Sequence, residues 1–281
     1  MEKLILDRLT TLGHPNRMAL FRLLMRRYPQ AVPAGELGQA LGLKASTLSV
    51  YLSALAGVGL IDKSRHGTSL HYRVVPEAAR EIIDYLFFDC CRGRPQLCAG
   101  FEPFPASEHP PEPTRKLNII FICTGNSARS IMAEAILRDL APERFNVYSA
   151  GTRPATAPHP LALDTLKRNR HDISGLRSEN LDEFHQPGAP QMDFIFTVCD
   201  AAANEECAIW PGRPISGHWG IPDPASAIGN EAEKALAFAR AYGQMRARIE
   251  AFTALPEIAP GAPELQNSID EISTIPTKAK G

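Results

Sequence analysis

The sequence predicts two domains of different fold class, a mainly helical domain followed by an α/β domain with a parallel sheet. Apolar residues recur at helical spacing through the first 90 residues, whereas after residue 116 short apolar runs alternate with helical segments. Between the two patterns, residues 99–116 contain five prolines, which disfavour both helices and strand ladders. A chain of 281 residues is long enough for two separate cores.

These patterns give the domain boundaries. We predict a first domain at 1–98, a proline-rich linker at 99–116, a second domain at 117–255 and a mobile tail at 256–281. Residues 1–100 carry 13 Lys and Arg against 8 Asp and Glu, which favours a polyanion partner for the first domain. Since no long apolar stretch could serve as a signal or membrane span, we expect a cytoplasmic protein with reduced cysteines and no membrane partner.

The first domain is predicted to be a winged helix-turn-helix. Helical spacing predicts helices at residues 2–12, 15–27, 34–41, 46–56 and 77–89. Between the last two helices, the segment IDKSRHGTSLHYRVV predicts two short strands that turn at His66 and Gly67, which would form the wing.

The fourth helix of this domain is the candidate for reading DNA. Leu48, Leu52 and Leu55 recur at helical spacing and should face the core, so the opposite face is turned toward solvent. An ordinary amphipathic helix in a helical bundle is the alternative interpretation. The residues that we expect to contact DNA are Ser46, Thr47, Ser49 and Val50 in the major groove, and Lys44, Lys63, Arg65 and Arg73 at phosphates.

The order of these segments resembles one family. GHPNRMALFRLL, then a short helix, then ASTLSVYLSALAGVGLI and a wing resemble the ArsR/SmtB metalloregulatory repressors over nearly all of residues 1–98. The resemblance implies an operator-binding homodimer joined through the first and last helices, which fits the apolar run DYLFF at 84–88. Val50 stands where many relatives carry a basic residue, so base reading would depend on small hydroxyl groups.

Three cysteines lie close together at the end of this domain, in DCCRGRPQLC. Adjacent side chains on a helix diverge, so Cys90, Cys91 and Cys98 can share a ligand only if the helix ends there, which Gly93 and Pro95 favour. Three thiolates without a histidine suit pyramidal arsenite or antimonite better than tetrahedral zinc. We therefore predict arsenite as the inducer. Cysteines buried at a dimer seam, or an adventitious vicinal pair, are the alternatives.

The second domain opens with the strand LNIIFIC and the loop CTGNSARS. A loop between a buried strand and the start of a helix directs successive backbone N–H groups at one point, where they favour an anion. Arg129 can add a bidentate contact. In that field Cys123, hydrogen-bonded to Ser130, should be a reactive thiolate at neutral pH. The predicted oxyanion-binding residues are Thr124, Gly125, Asn126, Ser127, Ala128 and Arg129.

The loop CTGNSARS resembles the phosphate loop of the low-molecular-weight protein tyrosine phosphatases and of the arsenate reductases that share their fold. Residues 117–255 fit that family throughout, which implies a three-layer α/β fold and a structural role for Asn126. The segment GHWGIPDPA keeps the family's general acid, Asp223, but has Ala225 where the phosphatases carry an aromatic ring that helps hold a phenol. That difference favours a small inorganic oxyanion over a phosphotyrosine.

Two further thiols separate a reductase from a phosphatase. Cys199 and Cys207 lie in VCDAAANEEC and could supply electrons that a phosphatase does not need. The resemblance to arsenate reductases implies attack of Cys123 on arsenate, then of Cys199 on Cys123, then exchange with Cys207, with thioredoxin or glutaredoxin as external electron donor and no catalytic cofactor or metal. Alternatively, Cys199 only caps a buried strand and Cys207 is incidental, and the domain is a phosphatase or an inert oxyanion binder.

Overall fold

The chain forms two compact units, Met1–Pro105 and Ala106–Gly281, in a computed structural model that describes residues 2–90, 115–205, 210, 214–256 and 263–275. Each unit has its own apolar core. The first is helical with a small antiparallel sheet, and the second is α/β with a parallel sheet, so the predicted fold classes are confirmed.

The first unit is built from short helices that surround one three-stranded sheet. Its helices are α1 (Glu2–Leu12), α2 (Pro15–Arg26), α3 (Ala34–Ala40), α4 (Ala45–Gly57) and α5 (Pro76–Asp84), and its strands are β1 (Val32–Pro33), β2 (Ile61–His66) and β3 (Ser69–Val74). The strands pair antiparallel in the order β1-β3-β2. The predicted wing is the β2–β3 hairpin, which turns at Gly67 with a positive φ of 60°.

The core of this unit holds the face of α4 that the apolar spacing predicts. Leu48, Leu52 and Leu55 are all buried, whereas Val50 on the other side is 65% exposed. A Cβ on Gly38 in α3 would lie 3.3 Å from the Leu48 side chain, so the two helices approach closely there. The small residue at Gly38 therefore permits the tight helix pair that presents α4 to solvent.

The last helix of this unit differs from the prediction of one helix at 77–89. The α-helix ends at Asp84 and continues as a π-helical segment, Tyr85–Cys90. A π-helical turn is wider than an α-helical turn, so adjacent side chains in this segment are separated by a different angle from those on an α-helix. Cys90 is described and exposed, while Cys91 and Cys98 lie outside the described residues.

The second unit alternates strands and helices. Its strands are β4 (Leu117–Cys123), β5 (Phe145–Gly151), β6 (Phe194–Thr197) and β7 (Ile215–His218), and its helices are α6 (Arg129–Leu140), α7 (Pro160–Arg168), α8 (Asp200–Asn204), α9 (Glu231–Thr253) and α10 (Pro263–Ser273). The strands are parallel in the order β5-β4-β6-β7. The alternation of apolar runs with helical segments predicted a domain of this kind, but gave no signal for the short β7, α8 or α10.

Parallel pairing brings the carboxyl ends of neighbouring strands to one edge of the sheet. Cys123 ends β4, Cys199 follows β6 and His218 ends β7, so these three side chains lie along the same edge. Helix α6 begins directly after the β4 loop, and Ser130 to Leu137 are all buried along it. The edge is therefore backed by a fully packed core.

The predicted mobile tail at 256–281 is wrong for residues 263–273, which form α10. Leu265, Ile269 and Ile272 belong to the core of the second unit. A Cβ on Gly217 in β7 would lie 2.7 Å from Ile269, so α10 packs directly against that edge strand. Proline and polar residues around the helix obscured its amphipathic pattern. The apolar face of α10 can be interpreted only once β7 is known to lie against it.

The predicted linker at 99–116 is mostly outside the described residues, but its last two residues are described. Arg115 donates two hydrogen bonds to the Asp193 carboxylate, at 2.8 and 2.6 Å, and Asp193 also accepts from the Asn118 backbone N–H. Residue 115 is therefore attached to the second unit, and is not part of a free linker.

The packing of α10 predicts a stability effect. We expect Ile269→Ala to lower the free energy of unfolding of the second unit by about 2–5 kcal/mol, because it removes a fully buried side chain from the contact with β7. Glu271→Ala changes an exposed position of the same helix and is the matched control. Urea denaturation followed by the fluorescence of the two tryptophans, Trp210 and Trp219, both in the second unit, measures both variants. Equal midpoints would mean that α10 does not contribute to the folded core.

Candidate functional site

The loop after β4 wraps around the sulfur of Cys123. The backbone N–H of Asn126 donates to Cys123 Sγ at 3.1 Å, and the Ser130 hydroxyl lies 3.0 Å from the same sulfur. Cys123 is buried, and Arg129 begins the helix that follows the loop. The predicted strand, loop and helix are thus in place around one thiol.

Asn126 has a conformation that few residues other than glycine adopt, with φ at 41°. Its side chain explains why it is tolerated. The Nδ2 group donates to the hydroxyls of Ser130 and Ser149, both at 2.8 Å, and Oδ1 accepts from the Glu179 backbone N–H at 2.6 Å. The Ser178 hydroxyl donates to the Asn126 carbonyl at 2.7 Å. Asn126 is therefore a fully bonded buried group that holds the turn of the loop.

The segment after β5 holds the outside of the loop. Backbone N–H groups of residues 152–159 donate to the loop carbonyls of Cys123, Thr124, Gly125 and Ser127. These carbonyls, like that of Asn126, consequently point away from the centre of the loop. An anion at the centre would meet N–H groups rather than carbonyl oxygens, as oxyanion binding requires. Motif spacing did not reveal this segment, because its contribution is entirely backbone.

Arg129 and Asp223 face each other across the loop. Arg129 donates to Asp223 Oδ2 at 2.8 Å and to the Ile221 carbonyl at 3.2 Å. Asp223 also caps its own turn by accepting from the Ala225 N–H at 3.1 Å. Arg129 and Asp223 are 94 residues apart in the sequence, and the fold brings them into contact. The predicted arginine and the predicted acid therefore share one site.

The thiolate expected at Cys123 is not supported by its surroundings. Burial raises the pKa of the Cys123 thiol above its usual value, and the nearby Cys199 raises it further. The hydrogen bond from Ser130 and the charge of Arg129 lower the pKa but are together outweighed. The favourable dipoles of the loop motif predicted a thiolate, whereas the cost of removing a charged sulfur from water is the larger contribution here.

A buried carboxyl that no sequence motif indicates lies behind the loop. Ser149 donates to Glu134 Oε2 at 2.6 Å and also accepts from Asn126, so Glu134 is connected through two side chains to the Cys123 loop. Burial raises the pKa of Glu134 to about 7. Its position in α6, five residues after Arg129, gave no signal beyond an ordinary helical glutamate.

A second buried thiol lies beside the loop. Cys199 Sγ is 3.5 Å from the hydroxyl oxygen of Thr124, the residue that follows Cys123. Cys199 is also the N-cap of α8, where it accepts from the Ala202 N–H at 3.4 Å. The structure therefore brings Cys199 to the loop that follows Cys123, whereas Cys207, predicted as a third thiol of this site, lies outside the described residues.

The predicted DNA-contacting residues lie on one helix and its wing in the first unit. Ser46, Ser49 and Val50 are exposed on α4, with Thr47 half-buried at the flank. Lys44, Lys63, Arg65 and Arg73 are exposed as well, and Arg73 lies 3.7 Å from Asp62 across β2 and β3. Their placement permits contact with a duplex, and their role stays a prediction.

Neither a metal centre nor a membrane span is formed by the described residues. Within them, no three His, Cys, Asp or Glu side chains come together as a potential metal site. The predicted thiol cluster is not tested by this, because two of its three cysteines lie outside the described residues. None of the described helices is long and apolar enough to cross a membrane.

The second unit has a buried thiol enclosed by a strand–loop–helix turn, with an arginine and an aspartate beside the loop. These features define a class of α/β domain that can hold a small oxyanion against a cysteine. Comparison with known proteins agrees with this class. The sequence pattern of the low molecular weight phosphotyrosine protein phosphatases matches residues 118–257, and that of a helix-turn-helix domain matches residues 12–64.

Several similar proteins are named as arsenate reductases. One from Shouchella clausii is 37% identical over 134 residues, which cover 48% of this chain and 93% of the relative. Another from Bacillus licheniformis is 37% identical over 137 residues, 49% of this chain and 95% of the relative. A solved arsenate reductase in its oxidized state is 26% identical over 47% of this chain and 93% of that one, with a TM-score of 0.39. Through its second unit, the chain belongs to the low molecular weight phosphotyrosine protein phosphatase family.

The raised pKa of Cys123 predicts the pH dependence of its alkylation. Thiolate is the reactive form and is populated only as the pH rises to the pKa, so the rate with iodoacetamide should increase up to a higher pH than for an ordinary cysteine. Ser130→Ala removes a hydrogen bond that lowers the pKa and should move the profile to still higher pH. Peptide mass spectrometry of Cys123 measures this, and a profile that levels off below about pH 7 would contradict it.

Proposed function

We propose that this protein is a cytoplasmic, arsenite-responsive transcriptional repressor fused to a thiol-dependent arsenate reductase. The observation that carries the enzymatic part is the second buried thiol, Cys199, beside the Cys123 loop. Hydrolysis of a phosphate ester involves no change of oxidation state, so this reaction does not require a second thiol. A reductase needs two thiols that can form a disulfide, because reduction of arsenate consumes two electrons.

The first step is formation of a bond between Cys123 sulfur and arsenic. Arsenate would lie at the centre of the loop, bound by backbone N–H groups and the Arg129 guanidinium. As the S–As bond forms, one As–O bond breaks and the oxygen leaves as water, with one proton from the Cys123 thiol and one from Asp223.

The second step releases arsenite. Cys199 attacks the sulfur of Cys123, its proton passes to an oxygen of the departing arsenite, and a disulfide forms. The electron pair of the broken S–As bond remains on arsenic, which is reduced from the +5 to the +3 state. Cys207 then exchanges with this disulfide, freeing Cys123, and thioredoxin or glutaredoxin reduces the resulting Cys199–Cys207 bond. Catalysis requires no metal or bound cofactor in this scheme.

The same site argues against a tyrosine phosphatase as second candidate. Ala225 follows Asp223 and Pro224 and offers no ring against which a phenol could pack. Asp223, which is 42% exposed, is hydrogen-bonded to Arg129 at the mouth of the loop. A small inorganic oxyanion needs only the loop, the arginine and the acid. An inert oxyanion-binding domain is the third candidate, and turnover distinguishes it.

The repressor part is supported by the exposed surfaces of the first unit. The solvent-facing side of α4 and the basic wing would bind double-stranded operator DNA, with small hydroxyl groups at base edges and lysine and arginine at phosphates. Leu4 and Leu6 in α1 and Ile83 and Leu86 at the last helix are 39–51% exposed in a single chain. Because α1 and α5 contact each other, these side chains fit the homodimer interface expected for an ArsR/SmtB-type repressor.

The fusion joins an enzyme to a sensor of its own product. Arsenite released in the second unit would bind Cys90, Cys91 and Cys98 near the end of the first unit and lower its affinity for DNA. Binding can shift the protein only by the difference in arsenite affinity between its two conformations, typically about 1–3 kcal/mol or roughly 5- to 150-fold in operator affinity. Repression would then end when arsenate is being reduced.

Two cysteine variants test the reductase. Cys123→Ser should abolish arsenate reduction, and Cys199→Ser should stop multiple turnover while leaving Cys123 able to form its arsenate adduct. Arsenite production with thioredoxin or glutaredoxin recycling measures both, beside hydrolysis of p-nitrophenyl phosphate by the unmodified protein. Cys90→Ser is the control and should turn over normally. Undiminished cycling without Cys199, or rapid phosphate ester hydrolysis without arsenate turnover, would contradict the proposal.

A cysteine variant of the first unit tests the sensor. Full-length Cys91→Ser should bind operator DNA normally but no longer release it on addition of arsenite, because two thiols hold arsenite less tightly than three. Fluorescence anisotropy of a labelled operator fragment measures this, with Cys123→Ser as the matched control that should still respond. If Cys91→Ser releases DNA at the same arsenite concentration as the unmodified protein, the sensing thiols lie elsewhere.

A further inference from the structure

A buried imidazole at the end of β7 binds both sides of the Cys199 segment. His218 is 2% exposed, and its Nδ1 lies 2.8 Å from the hydroxyl of Thr197, two residues before Cys199. Its Nε2 lies 3.0 Å from the carboxylate of Asp200, the residue directly after Cys199. One side chain therefore contacts the chain on either side of this thiol.

The chemistry of these partners orients the ring. A carboxylate only accepts hydrogen bonds, so Nε2 must carry the proton and donate to Asp200. In the neutral ring Nδ1 then accepts from the Thr197 hydroxyl. Both hydrogen bonds are kept only while Thr197 and Asp200 hold their present separation, and a buried imidazole that loses one of them bears a desolvation cost.

The backbone next to His218 leaves room for this pair. A Cβ on Gly220 would lie 2.6 Å from Asp200 Oδ1 and 2.7 Å from His218 Nε2, which is closer than carbon atoms approach such groups. The φ angle of Gly220 is not positive and so does not require glycine. A larger residue is disfavoured at this position because there is no space for its side chain. Gly220 therefore lies directly beside His218 Nε2 and Asp200 Oδ1, the two atoms of this hydrogen bond.

The position of His218 is fixed by the packing and hydrogen bonds of the residues that follow it. Trp219 is fully buried and stacks on Phe196 in β6 with 4.0 Å between ring centroids. Arg248 in α9 donates to the carbonyls of Trp219 and Gly220 at 2.8 and 3.0 Å, and to that of Ser273 in α10 at 3.2 Å. The end of β7 is thus firmly held, and it supports an α8 of only five residues.

We propose that His218, through Thr197 and Asp200, is a positioning residue that holds Cys199 at the Cys123 loop. This rests on the proposed function, in which Cys199 attacks the sulfur of Cys123. Without the two bonds, the start of α8 loses its side-chain attachment to the end of β7, and we expect Cys199 to be held less closely at its place 3.5 Å from Thr124. Misplacement of a reacting group by about 1 Å can cost about 100-fold in rate.

The test separates oxyanion binding from disulfide formation in the full-length protein. Reduced protein is mixed with arsenate, quenched with acid and analysed by peptide mass spectrometry for the Cys123–Cys199 disulfide. Asp200→Ala and Gly220→Ala should slow its formation about 10- to 100-fold, while protection of Cys123 from iodoacetamide by phosphate stays unchanged. Asp200→Asn keeps an oxygen acceptor and should restore most of the rate. Asp164→Ala removes another aspartate of similar exposure, paired with Arg168 on α7, and is the control.

Two further measurements make the result independent of folding and of turnover. Asp200 is half-exposed, so its variants should fold even if His218→Gln or His218→Asn does not. In a Cys123→Ser background, Asp200→Ala should increase alkylation of Cys199, which is 1% exposed in the intact site. Disulfide formation and Cys199 alkylation at unmodified rates in both Asp200→Ala and Gly220→Ala would overturn the positioning role.

Failure of the proposed function gives a different result from failure of this inference. If arsenate is still reduced repeatedly when Cys199 is replaced by serine, the thiol sequence itself is wrong. If Cys199 is required but the Asp200 and Gly220 variants react like the unmodified protein, the reductase stands and only the role of His218 is overturned.

Discussion

The left-handed turn at Asn126 is the constraint on which the second unit depends. A non-glycine residue in that conformation is disfavoured by about 1–2 kcal/mol, and Asn126 offsets this by bonding to Ser130, Ser149 and the Glu179 backbone. The turn carries its N–H to the Cys123 sulfur and directs the neighbouring carbonyls outward. Strand β5, helix α6 and the segment around residue 179 therefore all contribute to the shape of one loop.

The same sheet edge supplies the rest of the chemistry that we propose. Parallel pairing of β4, β6 and β7 places Cys123, Cys199 and His218 side by side, although they are spread over 96 residues of sequence. The aromatic core beside β7 and the additional helix α10 pack against that edge, which suits a site in which one thiol must be held close to another. The raised pKa of Cys123 is the consequence of this burial, and proton transfer during attack on the oxyanion accommodates it.

The two units reach their structures by different physical routes. The first is made of short helices whose apolar faces are readable from local spacing, and its hairpin turns at a glycine with positive φ. The second depends on pairing between distant strands. Under the proposed function the units are linked by a molecule, since arsenite is the product of one and the ligand of the other, and this link requires no particular contact between them.

The sequence by itself determined the two fold classes, α4 with its buried leucines, and the Cys123 loop between a strand and a helix, because helical and strand periodicity and a strand–loop–helix motif are local properties. It did not reveal β7, α8 or α10, which are short or become amphipathic only against a partner. Only the tertiary structure brought Cys199 to Thr124, Asp223 to Arg129 and Asp200 to His218. It also revealed that burial raises the pKa of the Cys123 thiol, because desolvation depends on every element packed around the sulfur, whereas the motif records only the loop that surrounds it.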